Sequence, residues 1–165
     1  IHFAPFNAAG RSRIVQLIGK SNQFNLTTRR YADADVREME TNPAYFTRQV
    51  RLTDTLGDNG MISVVICQRH PDHWEIDTWL MSCRVLGRRV EEAVLDDMVQ
   101  HARNEGIARI IGSYIPTSRN VIVADHYQKL GFKKIGEDDK KAELWELDLT
   151  QYVSPQLPME FIHAV

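Results

Sequence analysis

The middle of the chain contains the feature that most restricts its fold, an apolar run followed by a short loop and an amphipathic segment. The run extends from Ile76 to Cys83 and contains threonine, tryptophan and branched residues at the density of a strand. The loop from Arg84 to Arg89 contains Gly87, and apolar residues recur at helical spacing from Val90 onward. This order predicts a strand, a tight loop and a helix in direct succession.

A loop that leads directly into a helix predicts an anion site. The first amides of a helix lack partners within the helix and lie at the positive end of its dipole, so a phosphate placed there is stabilised. Arg84 and Arg88 add positive charge. The alternative is a simple turn between strand and helix, because a single glycine is a weak signal. The predicted phosphate loop consists of Arg84, Val85, Leu86, Gly87, Arg88 and Arg89.

Composition restricts the class of protein. The chain has 165 residues, of which 43% are hydrophobic and 25% charged, as is typical of one soluble globular domain. A formal charge of -2 gives no reason to expect nucleic-acid binding, and no apolar run approaches the ~20 residues needed to span a membrane. Cys67 and Cys83 lie in apolar runs, which favours reduced thiols and a cytoplasmic protein. Because the chain begins at Ile1 without methionine, we expect it to be a domain of a longer protein.

Periodicity predicts the order of elements as one strand, two helices, three antiparallel strands, a helix, a strand, a helix and a strand. This order corresponds to an α/β fold, with a mixed, mostly antiparallel sheet and helices on both faces. Among the specific predictions are a hairpin turn at Gly57–Gly60 and a single helix from Asn120 to Phe132. Residues 1–150 form the predicted domain, and residues 151–165 an extended C-terminal tail of the same domain.

Several of these segments together carry a resemblance to a known family. The strand, the Arg-x-x-Gly-x-x loop, the helix, Asn120 and the element Tyr-x-x-Leu-Gly-Phe ending at Phe132 resemble the GNAT acyltransferases, over nearly the whole chain. Three runs are more specific, because they resemble the C-terminal domain of FkbH-like proteins. They are Asn22–Tyr31, Ile76–Arg88 and Tyr114–Asn120.

The FkbH-like resemblance implies a function and partners. Full-length members combine a HAD-type phosphatase domain with this domain, and they load a glyceryl unit onto an acyl carrier protein for methoxymalonyl extender units in polyketide biosynthesis. The present chain contains no Asp-x-Asp-x-Thr phosphatase motif, so the resemblance implies the acyl-transfer half. It further implies a GNAT fold, an acyl carrier protein and a small acyl substrate as partners, a HAD-type phosphatase domain in the full-length chain, and phosphopantetheine or coenzyme A as cofactor.

The last position of the phosphate loop departs from the GNAT pattern. Gly or Ala normally stands where this chain has Arg89, since backbone must approach a pyrophosphate closely there. A bulky side chain hinders that approach, whereas a carrier-protein arm has only one phosphate to place. Arg88 and Arg89 would also attract an acidic carrier protein. The departure therefore favours a carrier protein over free coenzyme A.

Tyr127 and Asn120 are the residues to which the resemblance gives the most direct roles. It implies that Tyr127 is the general acid that protonates the departing pantetheine thiolate, and that Asn120 hydrogen-bonds the pantetheine arm. Seven residues apart in one helix, both would lie on the same face. The alternative for Tyr127 is a core tyrosine whose hydroxyl bonds to backbone. We expect the neighbouring His126, about 100° away on that helix, to be exposed to solvent.

Cys83 and Asp77 are two further catalytic candidates, each with an alternative. A cysteine in a strand is usually a small buried hydrophobic residue, and core packing is the leading interpretation for Cys83. Arg84 and the nearby helix end favour its thiolate, which would allow the thiol to relay the acyl group. Asp77 is a charge inside an apolar strand, so it is either paired to a buried hydroxyl or arginine, or poised as a base.

A polar loop without glycine or proline runs from Asn22 to Tyr31 and is the predicted substrate site. Its directional donors would suit a small hydroxylated acyl group, although a merely solvated loop is the alternative. The candidate substrate-binding residues are Asn22, Gln23, Asn25, Thr27, Thr28 and Arg29. His70, Asp72 and His73 lie on a proline turn without a fourth ligand nearby in sequence, so we predict a solvated turn and no metal.

Three hypotheses follow for the function. The first is acyl transfer to or from the phosphopantetheine thiol of a carrier protein, the second is acetyl-CoA-dependent N-acetylation, and the third is a non-catalytic docking module for a carrier protein. The first two require an open gap between the strand ending at Cys83 and the strand beginning near Ala108. We expect unpaired strand amides to face the pantetheine arm there.

Overall fold

The computed structural model describes residues 1–164. Its strands are β1 (His2–Ala4), β2 (Tyr45–Asp54), β3 (Gly57–Arg69), β4 (Trp74–Met81), β5 (Arg109–Tyr114), β6 (Lys133–Glu137), β7 (Glu143–Asp148) and β8 (Ile162–His163). Its helices are α1 (Arg11–Lys20), α2 (Asp33–Met39), α3 (Val90–Asn104) and α4 (His126–Lys129). Two short 3₁₀ turns cover Cys83–Val85 and Val121–Val123. No helix of the described chain is both long and apolar enough to cross a membrane.

All eight strands belong to one sheet, in the order β6-β7-β5-β4-β3-β2-β1-β8. Every neighbouring pair is antiparallel except β4–β5 and β1–β8, which are parallel. The parallel β4–β5 pair is joined through α3, because a parallel connection needs a long crossover. The predicted α/β fold with a mixed, mostly antiparallel sheet is confirmed.

Helices cover both faces of this sheet, as the sequence predicted. On one face, Ile14 and Ile18 of α1 pack with Val36 of α2 against the sheet residues Ile66 and Leu80. On the other face, apolar residues of α3 pack with a second set of sheet residues that includes both fully buried tryptophans. Burying each large apolar side chain in this way stabilises the fold by roughly 1.5–3 kcal/mol.

Two predicted elements differ from the observed ones. The β2–β3 turn lies at residues 55–56, and Gly57–Gly60 belongs to β3, where Gly57 and Gly60 adopt positive φ angles of 132° and 70°. The predicted helix Asn120–Phe132 is interrupted, since only Val121–Val123 and His126–Lys129 are helical. Three consecutive β-branched residues are poor helix formers, which explains the break at its start.

Two strands, β6 and β8, are not predicted by the pattern of the sequence. The segment after Gly131 returns as β6 and pairs with β7 in an antiparallel hairpin. The tail after Thr150 runs along α3, where Arg103 donates to the carbonyl of Tyr152 at 2.6 Å, and it ends in β8 beside β1. β8 is therefore the edge strand at the end of the sheet opposite to β6.

Candidate functional site

The predicted succession of strand, loop and helix is present. After β4 ends at Met81, the chain makes the 3₁₀ turn Cys83–Val85, and α3 begins at Val90. Gly87 and Arg89 adopt left-handed conformations, with φ angles of 77° and 62°. Within residues 1–164, the main-chain amides of Gly87, Arg89 and Val90 donate to no protein acceptor. Unpaired amides at the start of a 15-residue helix are groups that an anion would bind, and the phosphate role of this loop stays a prediction.

The arginines of this loop carry less free charge than the sequence suggested. Arg88 forms an ion pair with Asp54 at 2.7 Å, and its guanidinium is the first of several donors that lower the pKa of Asp54 to about 2. Arg89 pairs with Glu92 at 2.7 Å and donates to the carbonyl of Gln156 at 3.0 Å. The Arg89 guanidinium is thus held against α3 and the tail.

The two central parallel strands part beside this loop, as predicted. Their last paired residues are Ile76 of β4 and Gly112 of β5. At the same point β4 contains a bulge at Asp77, because Ile66 and Cys67 of β3 pair with Thr78 and Ile76. A bulge bends its strand, so it contributes to the separation of β4 from β5.

The chain's own loop fills much of this gap, which corrects the expectation of unpaired strand amides. The amide of Leu26 donates to the carbonyl of Trp79, and the amide of Met81 donates to that of Phe24, both at 3.1 Å. On the other side, the amide of Ile115 donates to the carbonyl of Leu26 at 2.9 Å. Buried backbone groups need partners, and Phe24–Leu26 supplies them. A cavity remains at the end of β4, beside Cys83.

Three predicted substrate residues shape this loop instead of facing a ligand. Asn25 is fully buried, and its side-chain carbonyl accepts from the amide of Thr28 at 2.9 Å. The hydroxyl of Thr27 donates to the carbonyl of Asp77 at 2.9 Å. Thr28 has a φ angle of 52°, a conformation stabilised here by the Asn25 side chain. These contacts are made within the protein, and the substrate role predicted for Asn25, Thr27 and Thr28 stays a prediction.

Arg29 and Asp77 pair with each other. The Arg29 guanidinium lies 2.7 Å from the Asp77 carboxylate, and the Tyr31 hydroxyl donates to it at 2.6 Å. The Thr78 hydroxyl also donates to this carboxylate, at 2.9 Å. Burial, together with the bond to Asp77, raises the pKa of Tyr31. Of the two interpretations of Asp77, pairing is the observed one, and the carboxylate anchors the loop. Arg29 is correspondingly engaged with Asp77, and its predicted substrate role stays a prediction.

Asn120 is also engaged within the protein. Its side-chain amide donates to the carbonyls of Ile115 at 2.9 Å and Asn25 at 3.1 Å, while its carbonyl accepts from the amide of Thr117 at 2.8 Å. The residue is fully buried and precedes a 3₁₀ turn, so the shared helical face with Tyr127 does not exist. Asn120 holds Phe24–Leu26 in place, and the predicted contact of Asn120 with pantetheine is not available in this conformation.

Tyr127 and His126 are both buried. The Tyr127 hydroxyl donates to the carbonyl of Ser113 at a long 3.4 Å, its ring packs on Gly112, and burial raises its pKa well above the usual value. The catalytic role of Tyr127 stays a prediction. His126 contacts the Trp79 ring edge-on, with ring centroids 4.4 Å apart, and burial lowers its pKa to about 3. The expected exposure of His126 is wrong, because the continuous helix that implied it is broken.

Cys83 is exposed, which overturns the interpretation as a core residue. It follows the end of β4, and its thiol donates to the side-chain carbonyl of Gln23 at 3.4 Å. Both residues line a cavity of about 380 Å³ between α1, the loop after it and the end of β4. Asn22 lines it too. Cys83, Gln23 and Asn22 are thus the predicted residues that the structure brings together beside the phosphate loop.

The charge of this cavity was missed by the sequence analysis. Its described lining includes Arg13, Lys20 and Arg84 and no carboxylate. Arg13, Leu17 and Lys20 share one face of α1, since they are spaced by four and three residues. That pattern was visible in the sequence, but the position of this face against the end of β4 was not. The cavity therefore combines an exposed thiol with three cations.

Comparisons with known proteins identify the fold. No protein-family model matches the sequence, and no curated protein sequence matches it either. Solved structures do. The GNAT domain of S. lividans PAT superposes with a TM-score of 0.68 at 18% identity, covering 88% of this chain and 89% of that one. The ribosomal-protein-S18-alanine N-acetyltransferase from Escherichia coli superposes with a TM-score of 0.64 at 12% identity, covering 93% and 97%.

A third match was solved with a bound ligand. The aminoglycoside acetyltransferase AAC(6')-Ib in complex with coenzyme A has a TM-score of 0.64 at 15% identity, covering 89% of this chain and 94% of that one. Identities this low establish a common architecture. The chain, with its central parallel strands parted after Ile76, has the GNAT fold.

Proposed function

We propose that this protein is an acyltransferase whose acyl donor is a thioester of coenzyme A. The observation that carries the proposal is that β4 parts from β5 after Ile76 and leads directly into a loop with free amides at the start of α3. A strand end beside an anion site suits a ligand that contains both amides and phosphates, as coenzyme A does. The loop Arg84–Arg89 would hold phosphate, and the donor's acyl group would lie near Cys83.

The solved structures support this donor and a first type of acceptor. AAC(6')-Ib was solved with coenzyme A, and the E. coli protein is described as an N-acetyltransferase. Acetyl-CoA-dependent transfer to an amine is therefore the first specific form of the proposal. The support concerns the donor more than the acceptor, because a common fold serves many acceptors.

The cavity beside Cys83 is where we place the acceptor. Arg13, Lys20 and Arg84 line it and have no carboxylate partner within residues 1–164. A simple protonated amine would be repelled there, whereas an acceptor that carries a carboxylate or phosphate next to its nucleophile would be attracted. We therefore infer a negatively charged acceptor, such as an amine on an acidic molecule.

A second candidate acceptor is the phosphopantetheine thiol of an acyl carrier protein, and the exposed thiol of Cys83 favours it. A cysteine here can take the acyl carbon from a thioester with release of the donor thiol, and then pass it to a second thiol. Both thioesters are of similar energy, so the relay needs no further reactant. The resemblance to FkbH-like proteins adds a glyceryl unit as acyl group, polyketide extender-unit synthesis as setting, and a HAD-type phosphatase as the adjoining domain.

The test is intact-mass spectrometry of the protein incubated with acetyl-CoA or other acyl-CoA thioesters and three acceptors. These are an acidic amine such as glutamate, its diester, which keeps the amine but lacks both carboxylates, and a phosphopantetheinylated carrier protein. The proposal predicts acyl transfer to at least one of them. Preference for the acidic amine over its ester would support the cationic cavity. Acylation of the carrier protein, with a transient acyl adduct that Cys83→Ser abolishes, would support the thiol relay.

One outcome would contradict the acyltransferase proposal. Absence of transfer to every acceptor, while the carrier protein still binds, would replace the proposal with the non-catalytic docking module. Cys67→Ser is the matched control for the relay, because Cys67 is fully buried and its pKa is raised by burial. Its loss leaves a relay through Cys83 intact.

A further inference from the structure

The turn between β3 and β4 brings together three side chains that can bind a metal ion. They are His70, His73 and Glu75, and one potential ligand atom from each lies within 4.8 Å of the others. In the sequence, His70, Asp72 and His73 lie on this turn without a fourth ligand nearby. Glu75 supplies one from the second position of β4, and its carboxylate lies 3.6 Å from Nε2 of His70.

Nε2 of His70 is a polar atom without a partner. It is buried although the imidazole as a whole is partly exposed, and it forms no hydrogen bond. Buried polar atoms in native proteins are nearly always satisfied by protein, water or an ion. At 3.6 Å the Glu75 carboxylate is too far for a good hydrogen bond but is placed to share a third group with His70.

His73 is prepared to act as a ligand through its other nitrogen. Its Nδ1 lies 2.7 Å from the carboxylate of Asp72, which is itself held by Arg109 at 2.8 Å. A carboxylate that accepts from Nδ1–H leaves the lone pair of Nε2 free. Metal-binding histidines commonly have such a carboxylate partner, which fixes both the tautomer and the orientation of the ring.

The two imidazole rings lie side by side on this turn. They stack with centroids 4.5 Å apart and an angle of 12° between their planes, so both belong to one small cluster of potential ligands. A pair of imidazole nitrogens with one carboxylate suits zinc and its neighbours among the transition metals, and does not suit magnesium or calcium.

We propose that His70, His73 and Glu75 bind one divalent transition-metal ion, with Zn²⁺ as the representative, at the β3–β4 turn. Three protein ligands leave one tetrahedral position for water. The site lies at the start of β4, and the phosphate loop follows the end of that eight-residue strand, so the two are separated by roughly 25 Å. The ion would therefore brace the turn and would not touch the acyl-transfer site.

The test is a titration of Zn²⁺ into the chelator-treated full chain in competition with a chromophoric chelator. The proposal predicts one bound equivalent that is lost in Glu75→Gln combined with His73→Gln. It also predicts a 10- to 100-fold weaker affinity for Asp72→Asn, which removes no ligand but frees the tautomer of His73. Circular dichroism of the metal-free variants checks that they remain folded.

Two controls separate this turn from other zinc-binding groups. Cys83→Ser and His101→Asn should leave the bound equivalent unchanged, since Cys83 lies at the other end of β4 and His101 pairs with Asp97. Thermal unfolding gives an independent measurement, because Zn²⁺ should raise the Tm of the wild type and not that of the double variant. Equal zinc affinity in wild type and double variant, or a bound equivalent lost in Cys83→Ser, would overturn the proposal.

Discussion

Gly112 lies in β5, where the ring of Tyr127 leaves no room for a side chain. A β-carbon added at this position would lie 2.4 Å from two ring atoms of Tyr127, and a buried aromatic ring cannot yield without moving its neighbours. We expect Gly112→Ala to lower the free energy of unfolding by about 1–3 kcal/mol. Urea denaturation measures it. Gly19→Ala is the matched control, because a β-carbon there meets nothing within 4 Å.

Tyr127 itself offers a test of the predicted general acid. Tyr127→Phe keeps the packing on Gly112 and removes only a 3.4 Å hydrogen bond, so stability should change little. If the hydroxyl protonates the leaving thiolate, kcat should fall by ~100- to 10,000-fold while donor affinity persists. Steady-state kinetics with an acceptor that the mass-spectrometry experiment identifies checks this. Undiminished kcat would leave Tyr127 with the packing role that the structure displays.

His126 should make stability depend on pH. Burial lowers its pKa to about 3 in the folded protein, whereas an unfolded chain has a histidine pKa near ~6.5. Between these values only the unfolded chain binds the proton, so the free energy of unfolding falls as pH drops below ~6.5. From pH 7.5 to pH 5 the loss attributable to His126 is about 2 kcal/mol.

His126→Phe isolates this contribution, because it preserves an aromatic ring against Phe24 and Trp79. Denaturation of both proteins across this pH range should show the wild type losing about 2 kcal/mol more than the variant. Parallel pH profiles for the two would contradict the buried neutral state of His126.

At the scale of elements, the loop between α1 and α2 depends on Asp77. Its carboxylate binds Arg29 and Tyr31, and its carbonyl binds Thr27. Asp77→Asn should therefore destabilise the protein by about 1.5–3 kcal/mol, the usual range for a hydrogen bond to a charged group. Chemical denaturation measures this. Asp58→Asn is the control, because the Asp58–Arg51 pair is exposed and should contribute little.

The same elements show what sequence periodicity could predict. The strand, phosphate loop and helix from Ile76 onward were found because local signals agree there. The course of Asn22–Tyr31 was not predictable in the same way, because it is fixed by contacts such as Asn120 to Asn25, 95 residues apart. The predicted strand ran to Cys83, but β4 ends two residues earlier, at Met81. Cys83 is therefore exposed beyond the strand and is not buried within it.

At the scale of the whole molecule, net charge concealed local charge. The chain carries a formal charge of -2, yet the cavity beside Cys83 is lined by three cations and, within the described chain, by no carboxylate. Arg88 and Arg89, which the sequence suggested as free charges, are paired with Asp54 and Glu92. The predicted attraction of an acidic carrier protein therefore rests mainly on Arg84 and on the cavity.

The fold of the whole chain was predictable from its sequence, whereas the acceptor was not. Solved structures at 12–18% identity have the same architecture, so many sequences satisfy its pattern of strands and helices. The acceptor is determined by a few side chains around one cavity, and fold-level patterns do not encode it. For this reason the predicted architecture is confirmed, while the acceptor stays a proposal.

The most direct test of the central claim is ¹⁵N NMR of the protein during titration with coenzyme A. We expect the resonances of the Gly87, Arg89 and Val90 amides, which have no protein acceptor within residues 1–164, to shift first and most strongly. Pantothenol, which lacks phosphates, should leave those three amides unchanged. Saturable binding of coenzyme A without a change in the chemical shifts of these three amides, or no binding at all, would contradict the assignment of this loop as the phosphate site of an acyltransferase.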